Sequence, residues 1–559
     1  MAAVLVLALA LLLLLSRAAW VTLCCYVLTP MRIRRALAGQ GVGGPPARLL
    51  VGNLGDVSAL VAEATAGDVG SLSHDIVGRL LPHYVRWSKA YGALFRSTTR
   101  NCTTYSLKLP LRSGKRADRR RIAGKLFVYW YGSEPRVCVT DAGMVRELLS
   151  SRHAHATGKS WMQRQGARHF IGGGLIMANG AAWARQRHVV APAFMADKLK
   201  GRVGHMVECT RGAVRAMREA VAREGNEVEV GKHMARLAGD IIARTEFDTS
   251  YDTGKRIFSL IEELQRLTAR SSRYLWVPGS QYFPSTYSRE IRRLNAELER
   301  LLQDSIQRSR EIADEGRTPS LACGMGLLGM LLAETEKKRK KKKNSDDKKP
   351  GYDAQMMIDE CKTFFFAGHE TSALLLTWAI MLLATNPAWQ DRARAEVAAV
   401  CGDAPPTADH LPKLTVLQMV INETLRLYPP ATLLPRMAFE DITLGSGELR
   451  VPRGASVWIP VLAIHHDEAV WGPDAHEFRP DRFASGRGRF FLPFASGPRN
   501  CVGQAYAMVE AKVVLAMVLA SFRFGISDEY RHAPVNVLTL RPRHGVPVRL
   551  LPLATTRHY

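Results

Sequence analysis

Apolar residues run without a break from Ala2 to Leu15 and, after Ser16 and Arg17, resume from Ala18 to Leu28. That is roughly the 20-residue length that crosses a bilayer, so the chain is predicted to open with one transmembrane helix. Beyond Val57 the pattern changes. Apolar positions recur every three or four residues in Met206 to Val221, Ile257 to Leu267, Ile291 to Ile306 and Leu374 to Val400, which predicts helices. A further helix is expected from about Tyr352 to Thr385. Strand signals are few: Leu126 to Tyr131 and Arg136 to Thr140 flank Gly132-Ser133-Glu134-Pro135 as a hairpin, with short extended pieces around Ile442 to Val451 and Val546 to Leu551. The predicted class is mainly α, with a small β-sheet region.

No Lys or Arg precedes the apolar stretch, whereas Arg32, Arg34 and Arg35 follow it, so the positive-inside bias leaves the bulk of the chain cytosolic. A cleaved signal peptide is the competing reading, since small residues follow the first block at Ala18 and Ala19. The division expected is an anchor over residues 1–29, a basic Pro/Gly hinge over 30–56 and one cytosolic domain over 57–559. Within the hinge, Gly43-Gly44-Pro45-Pro46 stiffens the chain, because each proline fixes its φ and removes a donor.

Two stretches lie outside this periodicity. Ser97 to Gly124 is polar and basic, which reads as a surface insertion or an error in the predicted transcript; Glu336 to Gly351 is lysine-rich and reads as a solvated interhelical loop. Of the formal net charge of +26, half sits in two short runs, Arg112 to Lys125 at +6 and Lys337 to Lys349 at +7. Charge so confined does not make a nucleic-acid-binding face, and none is expected. Nine cysteines, at 24, 25, 102, 138, 209, 323, 361, 401 and 501, form no CxxC pair. Neither a zinc site nor a disulfide framework is predicted, and a reducing compartment suits them.

One of those cysteines stands in a distinctive loop, Phe494-Ala495-Ser496-Gly497-Pro498-Arg499-Asn500-Cys501-Val502-Gly503, ahead of a helical pattern from Ala505 to Leu519. Glycines allow close backbone approach to a flat ring, and a helix N-terminus with nearby N–H groups stabilises a thiolate. At Phe494, Gly497, Arg499, Cys501 and Gly503 the loop resembles the haem-ligand loop of the cytochrome P-450 family. Further family signatures follow the expected order. Glu423-Thr424-Leu425-Arg426, with Arg482 in Phe478-Arg479-Pro480-Asp481-Arg482-Phe483, resembles the Glu-Arg-Arg network of that family. Ala367-Gly368-His369-Glu370-Thr371-Ser372 resembles its oxygen-activation groove, and Trp183-Ala184-Arg185-Gln186-Arg187 resembles the helix that reaches a haem propionate.

The resemblance implies haem b, iron protoporphyrin IX, with Cys501 as its metal ligand and Arg499, Arg187, Trp183, Arg436, Phe494 and Gly503 as cofactor-binding residues. Thr371 and Glu370 would be catalytic, holding the distal hydrogen bond and feeding protons from solvent. Glu423, Arg426 and Arg482 would be structural, and His369 has no expected catalytic role. The implied reaction inserts one oxygen atom of O2 into an apolar small molecule, with electrons from NADPH delivered by NADPH-cytochrome P-450 reductase at the endoplasmic reticulum membrane.

Phe170-Ile171-Gly172-Gly173-Gly174-Leu175, Asn179-Gly180 with Trp183, and Ile464-His465-His466-Asp467 through Trp471-Gly472 resemble a plant branch that oxidises gibberellins and related hormones or terpenoids. Gibberellin is therefore the expected substrate. Oxidation of a steroid, cytokinin or fatty acid stands as the alternative, as does a reductase-independent haem-thiolate isomerase, which has no need of the Glu370 and Thr371 pair. A catalytically silent membrane haem protein is a further alternative.

Overall fold

A computed structural model of the 559-residue chain describes residues 2–48, 50–70, 72–92, 126–247, 249, 251–271, 286–314, 326–342, 354–486, 488 and 490–553. The Ser97 to Gly124 stretch lies outside the described residues. The apolar N-terminus forms α1 (Ala2–Leu23), a π-helical turn (Cys24–Leu28) and α2 (Thr29–Ala38) in unbroken succession. Its side chains are exposed along the whole apolar window. Helix thus continues nine residues into the expected hinge, passing through Pro30, which has no N–H to give to the turn before it. The preceding π-turn takes up the strain: the Thr29 N–H reaches back to the Cys24 carbonyl. Among the described residues, two other helices are long and apolar enough to cross a membrane by composition alone, but most of each is buried inside the protein, so both are core helices.

The hinge that follows is docked. Gly43 accepts from the Val128 N–H at 2.9 Å, and a Cβ on Gly44 would lie 1.7 Å from the Val128 carbonyl oxygen, so only glycine fits against this strand. The hairpin reading holds, with β1 (Leu126–Tyr131) and β2 (Glu134–Val139) joined by Gly132-Ser133. With β3 (Thr157–Gly158), β5 (Leu434–Ala438) and β8 (Ser456–Ile459) they make a five-stranded sheet in the order β1-β2-β8-β5-β3, in which only β2 and β8 run parallel. Ile33 and Leu37 of α2 are buried in the same apolar cluster as Val137, Val457 and Ile459 of this sheet. Smaller pairings are β6 (Ile442–Leu444) with β7 (Leu449–Val451), β10 (Pro534–Val537) with β11 (Thr539–Pro542), and β4 (Glu227–Glu229) with β12 (Pro547–Pro552) and β9 (Phe522–Ile526).

The rest is helical, and its larger members after α2 are α3 (Gly180–Val190), α4 (Val203–Glu224), α5 (Val230–Phe247), α6 (Tyr251–Ser271), α7 (Thr286–Asp314), α8 (Leu327–Lys342), α9 (Ala354–Thr385), α10 (Pro387–Cys401), α11 (Thr415–Leu427) and α12 (Gln504–Ser521). The Leu374 to Val400 periodicity spans two of them, broken at Asn386-Pro387, where proline starts a new helix. Helix α8 extends to Lys342, so the first part of the lysine-rich run is helical and not loop; lysine and glutamate are good helix formers. Helix α9 is buried on nearly every side from Ser372 to Ala384, which explains why its sequence is apolar all round.

Candidate active site

The cysteine loop is shaped by its own hydrogen bonds. The Cys501 N–H donates to the Phe494 carbonyl at 2.9 Å and the Asn500 N–H to that of Gly497 at 3.0 Å. Gly497 has φ +71°, and a Cβ there would meet the Leu149 carbonyl oxygen at 1.8 Å. Gly503 is the N-cap of α12, and its N–H lowers the Cys501 thiol pKa, as does the Arg187 guanidinium, although burial outweighs both and raises it. Outside the N-terminal helix, Cys501 is the only exposed cysteine among the described residues; Cys138, Cys209, Cys361 and Cys401 are buried. An exposed residue whose thiol is nevertheless desolvated by its surroundings fits a position facing a recess in the protein.

Three cations gather beside this loop. Arg499 donates from Nε to the Ala154 carbonyl at 3.0 Å and from Nη1 to that of Ala178 at 3.2 Å, and its guanidinium lies 4.3 Å from the Trp183 ring centre. Its buried Nη2 has no partner. Arg436, on β5, is buried and bonds the Pro435 carbonyl at 2.9 Å. Lys159 completes the group; neither composition nor motif singled it out. Desolvation, with mutual repulsion where the neighbours add to it, lowers Arg499 and Arg436 to about 10 and Lys159 to about 7. None of the three makes an ion pair among the described residues. Desolvated cations, Arg436 buried and Arg499 and Lys159 half-buried, fit a planar cofactor that carries carboxylates, because the buried Arg499 nitrogen needs an anion to offset its desolvation. Arg187 stands apart from them: its Nη1 and Nη2 bond the Asn500 carbonyl and Oδ1 at 2.7 and 2.8 Å, on the sulfur's own loop.

On α9 the groove residues divide between faces. Thr371 donates to the Ala367 carbonyl at 2.6 Å. A Cβ on Gly368 would meet the Ile242 Cδ1 at 2.7 Å, so this glycine lets α9 pack closely on α5 and a larger residue would make Ile242 shift. His369 is bound through Nε2 to the Ala235 carbonyl at 3.0 Å, lies over Phe258, and is held neutral by burial at about 4. Glu370 accepts from the Thr539 hydroxyl and the Arg541 guanidinium of β11, and it lines a cavity of about 350 Å³ with Glu229, Glu262 and Gln265. The acid and alcohol are sequence neighbours but have separate partners.

Behind the loop, Glu423 and Arg426 are fully buried and paired at 2.7 and 2.8 Å. Arg426 also donates to the carbonyls of His465, Ala475 and Glu477, and Arg482 Nε lies 3.4 Å from Glu423. The stretches that carried the plant-hormone resemblance prove to be framework here: His465 accepts the Leu492 N–H at 2.9 Å, and His466 contacts the Leu427 carbonyl at 3.0 Å. The Phe170 to Leu175 loop is fastened to α9, with the Leu175 N–H donating to Glu360 at 3.0 Å and Thr363 donating to the Ile171 carbonyl at 2.8 Å.

A second buried acid adjoins the groove. Ser372 donates to Glu510 at 2.6 Å, and burial pushes the Glu510 carboxyl up to about 8 from an ordinary 4.5. Tyr506 and the Arg202–Glu246 pair lie in the same interior, and burial also raises Glu246, to about 7. A carboxyl raised in the folded state binds more protons folded than unfolded between those values. Stability is therefore lost as pH rises through that window and levels off above it. Glu510→Gln removes its share, so thermal unfolding of this variant falls less between about pH 5 and about pH 8.5 than that of the parent. An unchanged slope would exclude Glu510 as a source.

The cytochrome P450 family profile matches residues 116–544. Two proteins of Arabidopsis thaliana, each named cytokinin hydroxylase, are 50% and 49% identical over 544 and 538 residues, covering 97% and 96% of this chain and 96% of each relative. Cytochrome P450 734A4 of Oryza sativa subsp. japonica is 37% identical, covering 94% of both chains. An accessible cysteine at the mouth of α12, a buried Glu-Arg pair behind it and likeness along almost the full length converge: the chain belongs to the cytochrome P450 family and is a monooxygenase of that family.

Proposed function

We propose that this chain is a cytokinin hydroxylase of the endoplasmic reticulum membrane. The observation that carries the substrate is the 50% and 49% identity, over nearly the full length, to two proteins named cytokinin hydroxylase. These relatives favour the cytokinin alternative over the gibberellin expectation. Family membership implies a haem-thiolate cofactor, a reductase partner and a lipophilic substrate. When bound, that cofactor supplies the activation of O2, and the net reaction turns a substrate C–H, O2, two electrons and two protons into C–OH and water.

In this reading Cys501 provides the thiolate, held in place by the loop hydrogen bonds and biased toward ionisation by the Gly503 N–H and Arg187. Arg499, Arg436 and Lys159 take the cofactor's carboxylates, and Trp183 orients Arg499 by stacking on it. Thr371 holds a hydrogen bond in the groove of α9. Glu370 exchanges protons with the cavity at its back, and Arg541 fixes where its carboxylate waits. Phe494 and Gly503 bound the sulfur's pocket, while Glu423, Arg426 and Arg482 fix the frame behind it.

Full-length protein incubated with NADPH and the reductase converts members of a cytokinin panel, presented as free base, nucleoside and nucleotide, to products heavier by one oxygen. Gibberellins and steroids in parallel are unchanged. Conversion of gibberellins with the cytokinins left intact would reverse the assignment.

A further inference from the structure

The N-terminal rod leaves its apolar stretch beside a cleft that the active site does not use. Leu23, Leu28 and Met31 are exposed, and Arg32, Arg34 and Arg35 follow at once, so the polar surface of a bilayer crossed by α1 falls at this level. A cavity of about 290 Å³ opens here between the rod and the catalytic body. One wall is Tyr26, Met31 and Arg34; the facing wall is Arg48, Leu50 and Trp130.

The facing wall is built and fixed. Arg48 and Gly52 exchange backbone hydrogen bonds at 2.9 and 3.2 Å, and the Asn53 N–H donates to the Trp130 carbonyl at 2.7 Å. The turn between them puts Leu50 in the left-handed region at φ +63°, with its side chain exposed. The two arginines have little else to bind. Arg34 makes no hydrogen bond or ion pair among the described residues, and Arg48, 74% exposed, has only a 3.7 Å contact with Asp56. Arg32, outside the cavity, is spent on the Arg453 carbonyl at 3.2 Å.

We propose that this cleft binds one anionic phospholipid of the surrounding bilayer. Its phosphate is held between Arg34 and Arg48, whose planar guanidiniums suit bidentate phosphate recognition, and its acyl chains leave past Met31 and Leu50 into the bilayer. Two features select a lipid over a free anion. The cleft is continuous with the membrane-crossing helix, and its rim couples two cations to exposed apolar side chains. The inference rests on α1 crossing the bilayer and is independent of the substrate assignment.

The full-length holoprotein, reconstituted in nanodiscs of phosphatidylcholine with a minor share of phosphatidylserine and then transferred to mild detergent, is examined by native mass spectrometry. The parent chain retains one phosphatidylserine. Arg34→Ala/Arg48→Ala lowers that retention about tenfold or more, whereas Arg35→Ala/Arg86→Ala, which removes two positive charges outside the cleft, leaves it in place. Equal loss in both variants would mean diffuse surface attraction, and retention in the first would mean another site; either overturns the proposal. Displacement by millimolar inorganic phosphate would also overturn it, by making the cleft a free-anion site. Photoactivatable phosphatidylserine on the unaltered chain needs no variant, and must label the segments bearing Tyr26, Met31 or Leu50. Labelling elsewhere alone is a negative result.

Discussion

A Cys501→Ser chain, reduced and exposed to carbon monoxide, shows none of the strongly red-shifted Soret absorption that the parent chain gives. The red shift requires a thiolate on the iron, and a serine hydroxyl does not ionise comparably in the same place. No other cysteine outside the N-terminal helix can substitute among the described residues, since Cys138, Cys209, Cys361 and Cys401 are all buried. The loop itself survives the change, because its shape rests on the backbone bonds from Cys501 to Phe494 and from Asn500 to Gly497. Far-ultraviolet circular dichroism of the variant therefore matches the parent, while hydroxylation falls below detection. A variant that kept the red-shifted band would place the iron on another sulfur and dismiss the assignment of Cys501.

Arg426→Met produces the second large effect, on folding. Arg426 and Glu423 have no accessible side-chain surface, and the guanidinium serves Glu423 together with three main-chain carbonyls. Removing the guanidinium leaves those carbonyls without this donor and Glu423 with only the Arg479 N–H at 2.9 Å and the more distant Arg482, a change that costs about 3–5 kcal/mol. Set against the 5–15 kcal/mol that typically separates folded from unfolded protein, about a fifth or more of the stability is lost. The midpoint of guanidinium unfolding drops accordingly, and haem incorporation during expression falls with it. Arg426→Lys does little better, since one ammonium cannot span the same four partners. Parent-like unfolding of either variant would show that the pair is dispensable.

The fold was legible where one periodicity persists over a whole element. The Met206 to Val221 and Ile291 to Ile306 patterns lie inside α4 and α7, and the hairpin at Gly132-Ser133 was marked by its turn residues. Boundaries were less so. The hinge was expected to begin at residue 30, yet helix runs on to Ala38 through a π-turn, and nothing in the local sequence announces that widening.

The cysteine loop and the Glu423–Arg426 pair were visible because their chemistry lies in short contiguous motifs. Lys159 was missed because its significance comes from approaching Arg436 and Arg499 in space. Gly368 was attributed to groove chemistry although close packing against Ile242 also favours a residue with no side chain there. Substrate choice was the least legible: the histidine and glycine stretches that suggested gibberellin are fastened to α9, α11 and the loop before Cys501, where they hold the scaffold together.

The unbroken path from α1 through the π-turn into α2 has a mechanical meaning. Ile33 and Leu37 lock the lower end of this rod into the sheet, so the membrane segment is a mast bolted to the catalytic body. On such a mast each residue adds about 100° of rotation, and a π-turn holds one residue more than an α-turn of similar span. The widened turn at Cys24–Leu28 consequently sets the compass bearing of the body relative to the face that α1 shows its lipid neighbours. Lengthening or shortening that turn by one residue would swing the body around the mast while leaving every contact within it intact.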